Sequence, residues 1–173
     1  MSRLNIIFQP LKGHDRSAFT SGDDADSRAL DGWFRKAASQ DQKRNLARVF
    51  VAIDRDAGDA IVGFYSLSTF SIALGDIPED LARKLPRHDA IPAALMGRLA
   101  RATSVRGQGI GELLVADAVR RILDVSESVA VHAIVVDAKN EWASRFYQSF
   151  GFIPFPDSAK RLFLLAATAR RAR

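Results

Sequence analysis

The residues with the clearest chemical use form a glycine-rich turn, RGQGIG at positions 106–111, between an apolar run and an amphipathic segment. Glycine adopts positive φ without strain and lets the backbone approach a ligand closely. The first amides of the helix predicted to follow have no intrahelical acceptor, and the helix dipole adds partial positive charge at that end. The turn therefore predicts an anion site suited to a pyrophosphate.

The spacing of these glycines excludes two common phosphate-binding motifs. A P-loop needs a lysine and then serine or threonine after its last glycine, and neither follows Gly111. A dinucleotide fingerprint needs G-x-G-x-x-G after the first strand of its unit, whereas this G-x-G-x-G run lies late in the chain. On the glycines alone, a tight strand-to-helix turn without a ligand stays open as the alternative.

A second segment, NEWASRFYQSFGF at positions 140–152, carries a tyrosine on a predicted short helix. Asn140 is a good N-cap residue for this helix. Trp142, Phe146 and Phe150 have helical spacing and are expected to face the core. That phase would put Tyr147 at the edge of the buried face, open to a cleft, and a tyrosine packed in the core is the alternative.

The elements that must position these segments alternate along the chain. Apolar runs predict strands at 3–11, 47–54, 60–74, 92–102, 129–136, 151–155 and 161–168. Helical spacing predicts helices at 23–43, 78–85, 109 to about 126, and 140–150. This order predicts one α/β domain over 1–173 with a mixed sheet, ending in a frayed basic tail at about 168–173.

The two segments together, in this order and spacing, resemble the GCN5-related N-acetyltransferase (GNAT) family. The acetyl-coenzyme A signature of that family, R/Q-x-x-G-x-G/A after a strand, is similar to Arg106-x-x-Gly109-x-Gly111. The Asn-led helix with a tyrosine, followed by Gly-Phe, is similar to the segment from Asn140 through Tyr147. The resemblance implies the GNAT fold, a central mixed, twisted β-sheet with a splayed strand pair, flanked by helices.

The resemblance also implies an N-acetyltransferase with acetyl-coenzyme A (acetyl-CoA) as cosubstrate and no metal. It implies a set of residues that contact this cosubstrate: Leu99, Ala100, Arg101, Arg106, Gly107, Gln108, Gly109, Ile110, Gly111, Glu112 and Asn140. Tyr147 resembles the general acid that protonates the leaving thiolate. A hydroxyl with a pKa near 10 can give its proton to a thiolate whose pKa is about 8.5.

A narrower resemblance is to the GNAT toxins of type II toxin–antitoxin systems, which acetylate the α-amino group of aminoacyl-tRNA and block translation. It implies a ribbon-helix-helix antitoxin as partner and a homodimer. The net charge of +5 fits a tRNA substrate, whose phosphates need neutralisation. Candidate tRNA contacts are Arg98 and Arg145, with Arg170, Arg171 and Arg173 of the tail.

One departure from these relatives lies beside the expected cosubstrate arm. Related members usually have an apolar residue and then aspartate where this chain has Arg101 and Ala102. An arginine there could reach a phosphate or the incoming RNA, or point to solvent. The departure bears on which aminoacyl-tRNA is used rather than on acetyl transfer.

The composition sets further limits on function. The chain has no cysteine, which excludes disulfides and thiolate chemistry and fits a reducing cytoplasm. It has no apolar run long enough for a membrane helix. The isolated histidines lack metal-site spacing, and His132 in particular is expected to be structural; they are His14, His88 and His132. The alternatives are a GNAT enzyme for a small amine or a protein N-terminus, and a binding module without catalysis.

Overall fold

In the part of the chain that the structure describes, seven strands form one mixed sheet in the order β1-β2-β3-β4-β5-β7-β6. The computed structural model describes residues 3–85 and 90–172, so His88 and Arg173 lie outside the described residues. The strands are β1 (Ile6–Pro10), β2 (Arg48–Asp54), β3 (Ala60–Ala73), β4 (Ala90–Arg101), β5 (Ala133–Asp137), β6 (Ile153–Phe155) and β7 (Ser158–Leu165). The mixed sheet predicted from the element order is confirmed.

Helices flank this sheet at six places along the described chain. They are α1 (Ala25–Lys36), α2 (Ala38–Lys43), α3 (Glu79–Ala82), α4 (Ile110–Val125), α5 (Glu141–Gln148) and α6 (Ala166–Arg171). None of them, over 3–85 and 90–172, is both long and apolar enough to cross a membrane. By internal contacts the chain divides into two compact units, Met1–Ser68 with Arg98–Ala118 and Thr69–Gly97 with Val119–Arg173.

The first unit is built on the antiparallel strands β1, β2 and β3, against which α1 packs an aromatic cluster. The rings of Phe34 and Phe64 stack with centroids 4.0 Å apart, and Phe19 meets both edge-on. A buried carboxylate fixes the loop before α1, because Asp31 accepts hydrogen bonds from the backbone N–H and the hydroxyl of Ser21. Burial of these rings stabilises this unit.

The helix predicted over 23–43 is two helices, and that prediction is wrong at its centre. α1 ends at Lys36, and Ala37 has φ of −119° before α2 begins. The break lets Trp33 Nε1 donate to Asp41 at 2.8 Å. It also lets the Gln42 side chain accept from the N–H of Val49 at 3.0 Å, so α2 is fastened to β2 by polar contacts.

The second unit has a core around the parallel strand β5, whose residues Ala133 to Val136 are at most 1% exposed. β4 pairs with β5 in parallel from Ala93↔Ala133 to Met96↔Val136, and β7 pairs with β5 on its other side in antiparallel register. β4 continues to Arg101, so its last residues extend beyond the stretch paired with β5. The pairing of β4 with β5 therefore ends at Met96, before β4 itself ends, as expected for a splayed strand pair.

The buried face of α5 differs from the face predicted from its sequence. Ala143, Ser144 and Tyr147 are buried, whereas the Trp142 side chain is 61% exposed. The expectation that Trp142 faces the core is therefore wrong. Two neighbouring rows of this helix are apolar, and the Ser144 hydroxyl fixes the phase by donating to the Ala159 carbonyl on β7 at 2.8 Å.

The C-terminal segment also differs from the prediction. β7 ends at Leu165, and the residues expected to extend it and then fray form α6 instead. Ala166 and Ala169 are buried on one side of this helix, and Arg170 donates to the Ser126 hydroxyl at 2.5 Å. An alanine-rich sequence favours helix over strand, which explains the change.

Candidate active site

The glycine-rich turn begins where β4 ends and is held by backbone hydrogen bonds within the first unit. The N–H of Ala102 donates to Val62 at 2.8 Å, and that of Thr103 donates to Thr20 at 2.9 Å. Gly107 and Gly109 have φ of +77° and +78°, in the left-handed region that only glycine enters without strain. These two residues are therefore glycine for conformational reasons.

Close packing against β3 fixes the start of α4. A Cβ on Gly63 would lie 2.8 Å from Leu114 Cδ1 and 3.1 Å from the Ala100 carbonyl oxygen, so only glycine allows this approach. Ile110 and Leu114 are at most 1% exposed and anchor the first turn. The N–H of Leu113 makes the first helical bond, to Gly109 at 3.2 Å. The amides of residues 110–112 therefore precede the helical hydrogen-bond ladder and stay available for an anion.

Space for an anion exists over the turn, and two arginines supply charge. A Cβ on Gly107 would meet no heavy atom within 4 Å, and one on Gly109 would meet only Glu112 Oε2 at 3.7 Å. Burial, and then the nearby charge of Arg106, lower the pKa of the half-buried Arg101, while Glu112 acts in the opposite direction. Two neighbouring cations beside free helix amides fit a diphosphate better than a neutral ligand.

The last residues of β4 present alternating side chains before the turn. Leu99 is half-buried and Ala100 is buried. Arg98 lies over the ring of Trp33, with its guanidinium carbon 3.9 Å from the ring centroid. This cation–π contact holds the arginine at one place on the surface of the first unit.

In the second unit, Asn140 caps α5 as predicted. Its Oδ1 accepts a hydrogen bond from the N–H of Ala143 at 2.9 Å, and its backbone is extended, as is usual for an N-cap residue. The carboxamide NH₂ group takes no part in this cap and can donate to a ligand. Arg145, about one turn into the same helix, is exposed.

Tyr147 is more deeply packed than predicted, yet its hydroxyl is accessible. The residue is 4% exposed, and its ring meets Phe146 and Phe152 edge-on at 5.5 and 5.7 Å. Within the described residues the hydroxyl has no hydrogen-bond partner, and no buried polar side-chain atom there lacks one. The oxygen therefore reaches solvent although the ring does not.

A carboxylate that the sequence analysis did not single out influences this tyrosine. Burial raises the pKa of Tyr147, and the negative charge of Asp137 raises it further. Asp137 ends β5 and is paired with Arg161 on β7 at 2.8 and 3.2 Å. An aspartate directly after a buried strand was the available signal. The consequence is a tyrosine that stays protonated at neutral and mildly alkaline pH.

The other titratable groups form no further site in the described part of the chain. No three His, Asp or Glu side chains within 3–85 and 90–172 are grouped so as to hold a metal ion. His132 lies just before β5, where its backbone bonds Pro92 and Ala166. His14 hydrogen-bonds Gln9 at 2.9 Å on the surface. These contacts account for both histidines as structural residues.

Two features together indicate a class of protein. One is a glycine-rich turn with space and charge for a diphosphate, and the other is a buried, protonated tyrosine on a helix capped by asparagine. Residues 45–154 match the acetyltransferase (GNAT) domain family. The chain belongs to this family of N-acetyltransferases, whose acyl donor is acetyl-CoA.

Two relatives with sequences of similar length give a more specific comparison than the family model. The chain is 34% identical to the probable toxin TacT of Sinorhizobium fredii, over 95% of this chain and 93% of the relative. It is 35% identical to the tRNA-acetylating toxin of Mycobacterium tuberculosis, over 90% of this chain and 89% of the relative. Both likenesses extend over nearly the whole chain.

Solved structures of AtaT have the same fold. AtaT complexed with acetyl-methionyl-tRNAfMet superposes with a TM-score of 0.86 at 25% identity, covering 97% of this chain and 99% of the other. The structure of AtaTR bound with AcCoA gives a TM-score of 0.83 at 26% identity, over 96% and 97%.

Proposed function

We propose that this chain is a toxin that transfers the acetyl group of acetyl-CoA to the α-amino group of aminoacyl-tRNA and so blocks translation. The observation that carries the proposal is the 35% identity, over 90% of the chain, to a tRNA-acetylating toxin. The chemistry of the described side chains supports the same reaction. We further propose that residues 1–173 act as a single GNAT domain.

The acyl donor would be held mainly by the glycine-rich turn. The amides of Gly107 and of residues 109–112 would donate to its pyrophosphate, whereas the N–H of Gln108 already donates to Val105 at 3.3 Å. Arg106 and Arg101 would add positive charge. The end of β4, from Leu99 to Arg101, would lie along the pantetheine arm, and the Asn140 carboxamide would contact the same arm. Bound acetyl-CoA supplies the activated acetyl thioester.

Tyr147 would serve as the general acid. The substrate nitrogen attacks the carbonyl carbon, the C–N bond forms, and the C–S bond breaks. The nitrogen loses one proton to water, and the Tyr147 hydroxyl gives one to the departing sulfur. A tyrosine is protonated at physiological pH, and burial raises the pKa of Tyr147 further, so the hydroxyl gives up its proton only as negative charge develops on the sulfur. Burial also raises the basicity of a thiolate leaving beside it, which favours the transfer.

An α-amino group needs less help from a general base than a lysine side chain does. Its pKa is about 7.7–8.0, so roughly a third of it is neutral near pH 7.5, whereas a lysine side chain with pKa about 10.4 is neutral only about 0.1% of the time. This favours an aminoacyl ester over a lysine side chain. The same pKa argument applies equally to a protein N-terminus, and the choice of acceptors in the transfer experiment distinguishes the two substrates.

Arginine side chains on both units could neutralise tRNA phosphates. Arg98 is held on Trp33, and Arg145 is exposed on α5. Arg170 and Arg171 belong to the helix α6. Arg170 donates to the Ser126 hydroxyl, and Arg171 donates to the Thr168 hydroxyl at 3.5 Å. We propose Arg98 and Arg145 as contacts to the RNA. We also propose a ribbon-helix-helix antitoxin, a homodimer and a cytoplasmic location.

In the decisive experiment the purified chain is incubated with acetyl-CoA that carries a labelled acetyl group. Three acceptors are offered: charged tRNA, the same tRNA without its amino acid, and a mixture of polyamines and peptides with a free N-terminus. We expect label on charged tRNA alone. Label only on amines or peptides would replace the proposal with the alternative enzyme, and transfer to none of them would indicate a binding module.

A further inference from the structure

An exposed pair of aromatic rings on α5 has no role in the chemistry described above. Trp142 is 61% exposed, and Phe146 stacks on it with centroids 5.9 Å apart and planes within 7° of parallel. The exposed Leu46 and Val129 have no such flat face. An open indole held flat by a neighbouring ring is suited to a planar ligand.

The pair is continuous with the proposed general acid. Phe146 contacts Trp142 on one side and Tyr147 on the other, at 5.9 and 5.5 Å. A row of three rings therefore leads along α5 from the exposed indole to the tyrosine whose hydroxyl reaches solvent. A planar group stacked on the open face of Trp142 would be separated from Tyr147 by these two ring spacings, of 5.9 and 5.5 Å, and one stacking distance.

The charge beside the pair favours an anionic ligand. Arg145 is three residues from Trp142, which places the two side chains on neighbouring positions of the helix surface. No carboxylate of the described residues forms a salt bridge with Arg145, although Glu141 is exposed one turn earlier. An aromatic face next to an unneutralised arginine is the combination that binds single-stranded nucleic acid.

We propose that Trp142 and Phe146 form a stacking platform for an unpaired base at the 3′ end of the aminoacyl-tRNA, with Arg145 at a neighbouring phosphate. The inference rests on the proposed function. The amino acid is esterified to the terminal ribose, so bases of that end must lie close to the reacting amine. The platform would orient the amine and would read the base by stacking, without sequence preference.

The first test measures binding without activity. The chain has two tryptophans, so Trp33→Phe leaves Trp142 as the sole tryptophan, whose emission can be excited selectively over that of the two tyrosines. We expect a short single-stranded RNA with a 3′-terminal adenosine to quench its fluorescence saturably, and a blunt duplex of equal length to quench it far less. Unchanged fluorescence at saturating RNA, or equal quenching by the duplex, would overturn the platform.

The second test separates positioning from chemistry. Trp142→Ala should raise KM for aminoacyl-tRNA about 5- to 150-fold, the range for loss of one stacked base, with KM for acetyl-CoA unchanged. Trp142→Phe should recover most of the loss. Val129→Ala is the matched control, because Val129 is 60% exposed in the same unit.

Two results of the second test would contradict the inference. One is an unchanged KM in Trp142→Ala. The other is a change from dimer to monomer in sedimentation, which would make the indole a contact between copies of the chain. If the wild-type chain acetylates no tRNA, the proposed function fails, and the fluorescence titration still decides whether the rings bind a base.

Discussion

Replacement of Tyr147 by phenylalanine separates chemistry from stability in this protein. The ring is 4% exposed and packs against Phe146 and Phe152, and phenylalanine preserves both contacts. The hydroxyl has no partner within the described residues, so no hydrogen bond is lost. We therefore expect the free energy of unfolding to change by less than about 0.5 kcal/mol.

Turnover should respond very differently from stability. A positioned general acid contributes about 10²–10⁴-fold to rate, equivalent to roughly 2.7–5.4 kcal/mol of transition-state stabilisation. Affinity for acetyl-CoA should remain nearly that of the wild type. Single-turnover transfer of labelled acetyl to charged tRNA measures the first quantity, and calorimetric titration with acetyl-CoA measures the second.

The other tyrosine of the chain is the matched control. Tyr65 is fully buried and donates to the carboxylate of Asp117, so Tyr65→Phe removes a buried hydrogen bond. We expect it to cost about 1–3 kcal/mol of stability, or roughly 2–12 °C in Tm, with turnover at 25 °C little changed. The reasoning is refuted if Tyr147→Phe turns over at the wild-type rate, or if it loses stability as Tyr65→Phe does.

Three further outcomes follow from the same contacts. In Tyr65→Phe, where Tyr147 is the only tyrosine, tyrosinate absorbance should appear with a midpoint above pH 10, because burial and Asp137 disfavour the anion; a midpoint at or below 10 contradicts this. Gly109→Ala should weaken acetyl-CoA binding about 5- to 30-fold in a calorimetric titration, since left-handed backbone costs alanine about 1–2 kcal/mol and a turn that relaxes from it must regain it to bind; unchanged affinity would remove the turn from the site. Gly63→Ala should cost about 1–3 kcal/mol in denaturant unfolding through its collision with Leu114 and the Ala100 carbonyl, and a variant as stable as wild type would show that α4 can shift freely.

The sequence predicted best those features that a backbone conformation demands. Gly107 and Gly109 must be glycine to adopt positive φ, and Asn140 must be a capping residue, so the turn and the start of α5 could be located without coordinates. The long β-branched runs likewise predicted β2 and β3. Because few residue types satisfy such local backbone requirements, these features can be recognised in a single sequence.

Features decided by tertiary packing were not predictable in the same way. α5 carries two adjacent apolar rows, and only the bond from Ser144 to β7 selects the row that is buried. The break at Ala37 has no proline or glycine to mark it, and it depends on Trp33 reaching Asp41. The effect of Asp137 on Tyr147 depends on strand order, which periodicity does not encode.

The cap of α5 also determines the orientation of its ligand contact. Because Asn140 Oδ1 accepts from the N–H of Ala143, the plane of the carboxamide is held against the start of the helix, and its NH₂ group is directed away from that bond. In the proposed complex the NH₂ group would donate to a carbonyl of the pantetheine arm. The bond that begins the helix thus orients the donor for this arm before any cosubstrate arrives.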